Sequence, residues 1–204
     1  DSALGNLGGL HWRTGEYAVS LGFQERALTL LETLGDIRRT GTTLANLGIV
    51  YQRLGAADRA LACYERSLSR LDAVGDHVRA ATVLANLGGL YATLGETDRA
   101  LGYLERARVT SESAGDRAGV AAALANEGHL QSRLGNFEEA LCAHVKSLAV
   151  REALGDREGV AEARTSLGLV YSARGDPERA LTLLRQAVVE AEGLGAQDAL
   201  VVAL

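Results

Sequence analysis

Apolar side chains recur along the chain at steps of three and four residues, the spacing of one face of an α-helix. Between residues 36 and 75 this spacing predicts a first helix that ends near Leu54 and a second helix from about Ala57 to Val74. Each predicted helix has about 18 residues and is therefore about 27 Å long. Because the connections are only a few residues long, consecutive helices are predicted to lie antiparallel.

The two-helix pattern returns every forty residues. The segment at residues 84–95, which reads LANLGGLYATLG, returns in related form at 44–55 and 124–135, and more weakly at 4–15 and 164–175. A fixed period of this length is typical of a solenoid, whose stacked repeats form an extended binding surface. The period divides the chain into units of about 1–35, 36–75, 76–115, 116–155 and 156–195, followed by the start of a further helix at 196–204.

Glycine and aspartate mark the predicted helix ends. A glycine closes each helix, at Gly15, Gly35, Gly55, Gly75, Gly95, Gly115, Gly135, Gly155, Gly175 and Gly195. An aspartate follows each second helix as the expected N-cap of the next helix, at Asp36, Asp76, Asp116 and Asp156. We expect Asn136, and Asp176 before Pro177, to cap helices in the same way.

Small residues recur where the two helices of a unit are predicted to approach each other. Glycine inside a helix costs about 1 kcal/mol relative to alanine, so its recurrence at one position indicates a steric requirement. The first helices carry this glycine at Gly8, Gly48, Gly88, Gly128 and Gly168. The second helices carry a matching small residue at Ser20, Ala60, Ala100, Ala140 and Ala180.

These recurring residues resemble the tetratricopeptide repeat family over essentially the whole chain. The matching residues are Leu47, Gly48, Tyr51, Ala60, Tyr64 and Ser67 in the second unit, Leu87, Gly88, Tyr91, Ala100, Tyr103 and Ala107 in the third, and Leu167, Gly168, Tyr171, Ala180, Leu184 and Ala187 in the fifth. The long period is similar to that of the long-helix subclass found in kinesin light chains, Pins-type adaptors and the sensor arms of bacterial regulators. The resemblance implies an all-α, right-handed superhelical solenoid of antiparallel helix pairs, with about five repeats and a partner-binding or sensing role.

Composition and charge limit the classes of partner that we expect. The net charge is −5 with 21 basic and 26 acidic residues, and both signs are interleaved without a basic block, so we expect no nucleic-acid partner. No apolar run approaches a membrane span and nothing resembles a signal peptide, so we expect no membrane partner. Among the 21 basic residues only Lys146 is lysine, a bias typical of bacterial genes with high GC content.

The cysteines and the chain ends support two further expectations. Cys63 and Cys142 lie among apolar helix positions without metal-ligand spacing, so we predict buried free thiols in a reducing cytoplasm. The chain lacks an initiator Met and both ends fall inside a repeat, so we expect a fragment of a longer protein. The terminal repeats lack polar caps, so we also expect end-to-end self-association.

No set of residues predicts catalysis, a cofactor or a metal site. His11, His77, His129 and His144 are scattered over four repeats. We assign His144 to the core aromatic position of Tyr64 and Tyr103, whereas His129 lies on the other face and is either simply exposed or in contact with a ligand. We therefore expect a protein that is not an enzyme.

An asparagine recurs at one position of the first helices, where it is unfavourable for helix formation. The row consists of Asn6, Asn46, Asn86 and Asn126, with Ser166 in the fifth place. The family resemblance implies that this position lines the concave groove, where an amide can bind both the N–H and the C=O of a peptide backbone. The alternative is that each asparagine bonds a neighbouring repeat and only fixes the stack.

The same face carries the other candidate binding residues, which are Trp12, Arg13, Gln52, Arg53, His129 and Arg133. Trp12 is either an aromatic anchor in the groove or a cover for the N-terminal edge. Arg39 and Arg79 either bind an acidic ligand or remain solvated beside Asp36 and Asp76.

The predicted function is non-enzymatic recognition of a partner segment in the groove. The alternative is a sensor or autoinhibitory arm of a bacterial nucleotide-switch ATPase or transcription regulator.

Overall fold

A computed structural model describes residues 2–194, which form ten α-helices and, within that range, no β-strand. The helices are α1 (Ser2–Arg13), α2 (Tyr17–Leu34), α3 (Ile37–Arg53), α4 (Ala57–Ala73), α5 (His77–Thr93), α6 (Thr97–Ser113), α7 (Arg117–Arg133), α8 (Phe137–Leu154), α9 (Arg157–Arg174) and α10 (Pro177–Leu194). We call the odd-numbered helices first helices and the even-numbered ones second helices. The predicted helical architecture is confirmed. Gly195 and the expected further helix at 196–204 lie outside the described residues.

The helix ends follow the predicted caps with one exception. Asp36 accepts a hydrogen bond from the backbone N–H of Arg39 at 3.0 Å, and four other aspartates cap their helices in the same way. Gly35 ends α2 with φ 70°, a left-handed conformation that glycine adopts without steric cost. The prediction for Asn136 is wrong, because its amide donates to Gln131 Oε1 at 2.9 Å and does not cap α8.

The chain divides into two compact units within α6, one ending at Thr110 and the other beginning at Ser111. In the first unit α1 to α5 pack in sequence, and α3 also contacts α5. In the second unit α7 to α10 pack in sequence, and α7 also contacts α9. Buried serines join the helix pairs: Ser67 donates to the carbonyl of Gly41 at 2.7 Å, and Ser147 to that of Ala121 at 2.8 Å.

The recurring glycine brings the two helices of each pair into close contact, as predicted. Each one faces the residue sixteen positions further on, so that Gly48 lies against the ring of Tyr64 and Gly128 against the ring of His144. A Cβ built on Gly88 would lie 2.7 Å from Leu104 Cγ, closer than van der Waals contact permits. A larger residue there would force the helices apart.

The structure corrects the assignment of Tyr103. In the third repeat Leu104, not Tyr103, takes the position of Tyr64, whereas Tyr103 is half-buried and stacks on Tyr91 with ring centroids 5.2 Å apart. The prediction for Tyr103 is wrong by one residue, because Tyr103 and Leu104 both carry large side chains. His144 does occupy the Tyr64 position and is fully buried.

Two expectations drawn from composition fare differently. Cys63 is a buried free thiol as predicted, but Cys142 is exposed. The two cysteines lie one position apart in the repeat, and that single step turns Cys142 onto the face of α8 that also exposes Val145.

Within residues 2–194 no helix is both long enough and apolar enough to cross a membrane.

Candidate binding face of the first helices

The asparagine row (Asn6, Asn46, Asn86 and Asn126) lies at the surface of the first helices. Asn86 is half-buried, and the other three side chains are exposed. None of the four amides forms a hydrogen bond with another residue of the range 2–194. The stack-fixing alternative requires protein partners for these amides, and the described part of the chain supplies none. The fifth member differs, because the Ser166 hydroxyl donates to the Glu162 carbonyl at 3.0 Å.

Asn86 lines a cleft of the first unit that is about 640 Å³ in volume. We call it the α3–α5 cleft, because its lining comes mainly from these two helices and the residues that follow them. Gln52 and Arg53 lie on its α3 side, while Leu90 and Thr93 lie with Asn86 on its α5 side. The cleft therefore combines an amide, one positive charge and apolar surface.

Asn6 and Asn46 line a second cleft of about 470 Å³, which we call the α1–α3 cleft. Its polar lining is completed by Arg38, Arg39 and Arg79 together with two threonines of α3. Arg39 and Arg79 are among the candidate binding residues named from the sequence, whereas Arg38 is not. The available signal was the Arg38–Arg39 pair at the start of a first helix.

Trp12 and Asn46 line a smaller cavity of about 180 Å³ beside the α1–α3 cleft. The indole of Trp12 is 37% exposed, so it lines the cavity without closing it. Gln24 reaches both spaces, and its buried Oε1 has no partner among the described residues. Sequence reasoning missed Gln24, although a polar residue at the core position of Tyr64 and His144 was a visible signal.

The remaining candidates of the first unit differ in their partners. Gln52 is half-buried and accepts a hydrogen bond from the hydroxyl of Tyr64 at 3.1 Å, so part of its amide is already used. Arg13 and Arg53 are exposed, and neither forms an ion pair with a described residue. Arg53 therefore brings a positive charge to the α3–α5 cleft that no described carboxylate neutralises.

A buried carboxylate organises the arginines of the α1–α3 cleft. Asp76, the N-cap of α5, accepts hydrogen bonds from Arg38 at 2.8 Å and from Arg79 at 2.6 Å. Burial raises the pKa of Asp76, but the hydrogen bonds from Arg79 and the charges of both arginines outweigh that effect and hold the pKa below its ordinary value. The carboxylate thus stays ionised and fixes two guanidinium groups at the edge of the cleft.

In the second unit the candidates lie together on α7. Asn126, His129 and Arg133 are all exposed. The ring of His129 contacts that of the buried His144 edge to face, with centroids 4.9 Å apart. His129 is therefore partly engaged in packing. The amide of Asn126 has no hydrogen-bond partner among the described residues. Within the described residues no three His, Cys, Asp or Glu side chains converge on a point that can hold a metal ion.

A comparison with sequence models of protein families matches one family along most of the chain. A sequence model described as tetratricopeptide repeat matches four overlapping segments, at residues 1–73, 39–108, 79–153 and 119–188. A comparison with curated proteins found no significant match.

Solved structures with the same fold come from several kinds of protein. BtubC (BKLC) from P. vanneervenii is 25% identical with a TM-score of 0.78, over 94% of this chain and 80% of that chain. A Rap protein complexed with Competence and Sporulation Factor is 18% identical with a TM-score of 0.84, over 95% and 54%. A signal transduction ATPase with numerous domains from Pyrococcus horikoshii, which carries a tetratricopeptide repeat sensor, is 18% identical with a TM-score of 0.73, over 97% and 30%. The chain thus spans about half of the Rap protein and less than a third of the ATPase.

Proposed function

The chain belongs to the tetratricopeptide repeat family, and we propose that it is a non-enzymatic scaffold whose first helices bind an extended segment of a partner protein. The asparagine row would hold the backbone of that segment, and Trp12, Arg13, Gln52 and Arg53 would contact its side chains. Asn126, His129 and Arg133 would present the same chemistry on α7. The proposal needs no cofactor.

The observation that carries this proposal is the set of surface amides that have no partner among the described residues. A mid-helix asparagine lowers helix stability relative to alanine, so its recurrence calls for a compensating role. An amide presents both a donor and an acceptor, which match the C=O and N–H of an extended backbone. The row makes no hydrogen bond with the described part of the protein, so these groups are available to a ligand.

The spacing of the row also suits an extended chain. Packed helices lie roughly 8–10 Å apart, and an extended peptide advances about 3.3 Å per residue. One asparagine of each first helix would therefore meet about every third residue of the ligand. The clefts between the first helices would then receive the intervening side chains, with Ile49 and Leu94 supplying apolar contact.

The test uses Asn6, Asn46 and Asn86, which all lie in the first unit. Peptides are first selected on the wild-type chain from a display library of random linear sequences. The triple alanine variant should bind them with a dissociation constant raised about tenfold or more, since each lost hydrogen bond contributes about 0.5–1.5 kcal/mol. Its melting temperature should not fall, because alanine is the better helix former. Fluorescence anisotropy and thermal unfolding give the two readouts.

Asn136→Ala is the matched control, because Asn136 lies outside the row and its amide bonds Gln131. It should leave peptide affinity unchanged. Failure of the library to yield any binding peptide would overturn the proposal. So would a triple variant that loses stability and keeps its affinity, since the asparagines would then serve the repeat stack.

A second candidate function is that of a sensor arm within a nucleotide-switch ATPase. The observation in its favour is the fold shared with the Pyrococcus horikoshii protein, in which a tetratricopeptide repeat sensor is part of a much longer chain. In that case the first helices would contact other domains of the same polypeptide. A nucleotide-binding domain encoded in the same gene would favour this role, and its absence would remove it.

The free thiols support a cytoplasmic location as part of the proposal. Cys63 and Cys142 are unpaired, and Cys142 is open to solvent. An exposed free thiol is typical of a reducing compartment. Secretion of the intact gene product into an oxidising compartment would contradict this location.

A further inference from the structure

Arginines occur in both sets of helices of the first unit, but acidic residues occur only in the second helices. The first helices α1, α3 and α5 contain no Asp or Glu at all. Their arginines are Arg13, Arg38, Arg39, Arg53 and Arg79. The acidic residues of the unit's second helices are Glu25, Glu32, Asp58, Glu65, Asp72, Asp98 and Glu105. The first helices of this unit therefore carry a net positive charge, although the net charge of the whole chain is −5.

The linings of the two clefts show the same uneven distribution of acidic residues. Within residues 2–194 no carboxylate lines the α1–α3 cleft or the α3–α5 cleft, whereas arginines line both. The two aspartates nearby precede the helices as N-caps and lie outside the lining. Asp36 lies 3.9 Å from Arg39, and Asp76 forms ion pairs with Arg38 at 2.8 Å and with Arg79 at 2.6 Å.

Asp76 does not exhaust its two arginines. A guanidinium carries five N–H donors, and the contacts with Asp76 use few of them. The side chains of Arg38 and Arg79 remain 55% and 51% exposed, while that of Asp76 is 5% exposed. The carboxylate thus holds both guanidinium groups in place and leaves donors toward the cleft, the arrangement that a second carboxylate can bind in a bidentate manner.

We infer that the partner segment is acidic, and that its Asp or Glu side chains bind Arg38 and Arg79 in the α1–α3 cleft and Arg53 in the α3–α5 cleft. The inference rests on the proposed function and adds the chemical class of the partner. A protein segment fits better than a nucleic acid, because the α3–α5 cleft also presents Ile49 and Leu94, which suit aliphatic side chains. The amides of Asn46 and Asn86, which have no partner within residues 2–194, likewise suit a peptide backbone.

The experiment begins with the same display library and reads its sequences. Selected peptides should be enriched in Asp and Glu relative to the unselected library. For each selected peptide a version with Glu→Gln and Asp→Asn at every acidic position should bind about tenfold more weakly, and the difference should shrink as salt is added. Peptides that bind without acidic enrichment, and as well in the amide version, would overturn the inference and leave the proposed function standing. No binding peptide of any charge would overturn both.

Variants of the chain localise the effect. The double variant Arg38→Gln and Arg79→Gln should lose most of the preference for the acidic peptide over its amide version. Arg66→Gln is the matched control, because Arg66 is an exposed arginine of α4 paired with Glu32 at 2.9 Å, on a second helix. It should keep the preference. A preference that survives in the double variant, or that falls equally in the control, would overturn the assignment to this cleft.

Asp76→Asn tests the assignment in the opposite direction. Asparagine retains an acceptor for the N-cap of α5 but removes the charge that competes with the ligand. The acidic peptide should then bind more tightly, while its amide version should be unaffected. A variant that folds and binds the acidic peptide no better than wild type would contradict the role of the two arginines. A single-stranded oligonucleotide of equal charge serves as the competitor, and its tighter binding would overturn the inference in favour of a nucleic acid.

Discussion

Gly88→Leu is expected to lower the free energy of unfolding by about 3 kcal/mol. A Cβ at this position would lie 2.7 Å from Leu104 Cγ and 3.2 Å from the carbonyl oxygen of Ala100. The backbone oxygen cannot move without displacing α6, so the longer leucine side chain must separate α5 from α6. Chemical denaturation should show the loss, and exchange of the backbone amides of α5 and α6 should be faster than in the wild type.

Gly89→Leu is the matched control on the next residue. A Cβ built on Gly89 meets nothing within 4 Å, so the substitution adds helix propensity without a clash. It should be neutral or stabilise by up to about 1 kcal/mol. If Gly88→Leu and Gly89→Leu unfold at the same denaturant concentration, the close contact between α5 and α6 does not exist.

Stability should fall by about 3 kcal/mol between pH 6.5 and pH 4 through His144 alone. This side chain is 1% exposed, and neither ring nitrogen has a partner among the described residues. Burial, followed by the charges of His129 and Arg151, lowers the pKa of His144 from 6.5 to about 4. As the pH falls through this range the unfolded chain takes up a proton that the folded chain does not, so the folded state loses stability. Above about pH 7.5 the histidine is neutral in both states and contributes no pH dependence.

His144→Leu isolates this effect, because Leu104 and Leu184 occupy the same position in the neighbouring repeats. The variant should be at least as stable as the wild type at pH 7, since two buried nitrogens without partners are removed. Its free energy of unfolding should depend less on pH between 6.5 and 4. Denaturation curves across this range decide the matter, and parallel pH profiles for the two proteins would show that His144 is not buried in its neutral form.

The repeat architecture was predictable from the sequence because its signals are local and recur. Helix ends follow from Gly35 and Asp36, whose backbone and cap preferences act within a few residues. Errors arose where one step along a helix decides the outcome. Cys142 and Tyr103 were each assigned to the core, and each lies one position away from it. A rotation of about 100° per residue separates a buried position from an exposed one, and hydrophobicity alone does not resolve it.

The candidate site was predictable only in part for the same reason. The asparagine row was visible because it contradicts helix propensity, and its role in binding a partner stays a prediction. Gln24 and Arg38 were missed, because their importance depends on which cavities α1 and α3 enclose. The absence of carboxylates from α1, α3 and α5 was also missed, because it becomes apparent only when the residues are grouped by helix.

The side-chain amide resonances of the asparagines test the central claim most directly. In a complex with a selected peptide, the NH₂ signals of Asn46 and Asn86 should shift and their exchange with water should slow, because each amide gains a hydrogen-bond partner. The signals of Asn136 should stay where they are in the free protein. Unchanged signals for Asn46 and Asn86, with the shifts confined instead to residues of the second helices, would contradict binding of the partner by the asparagine row.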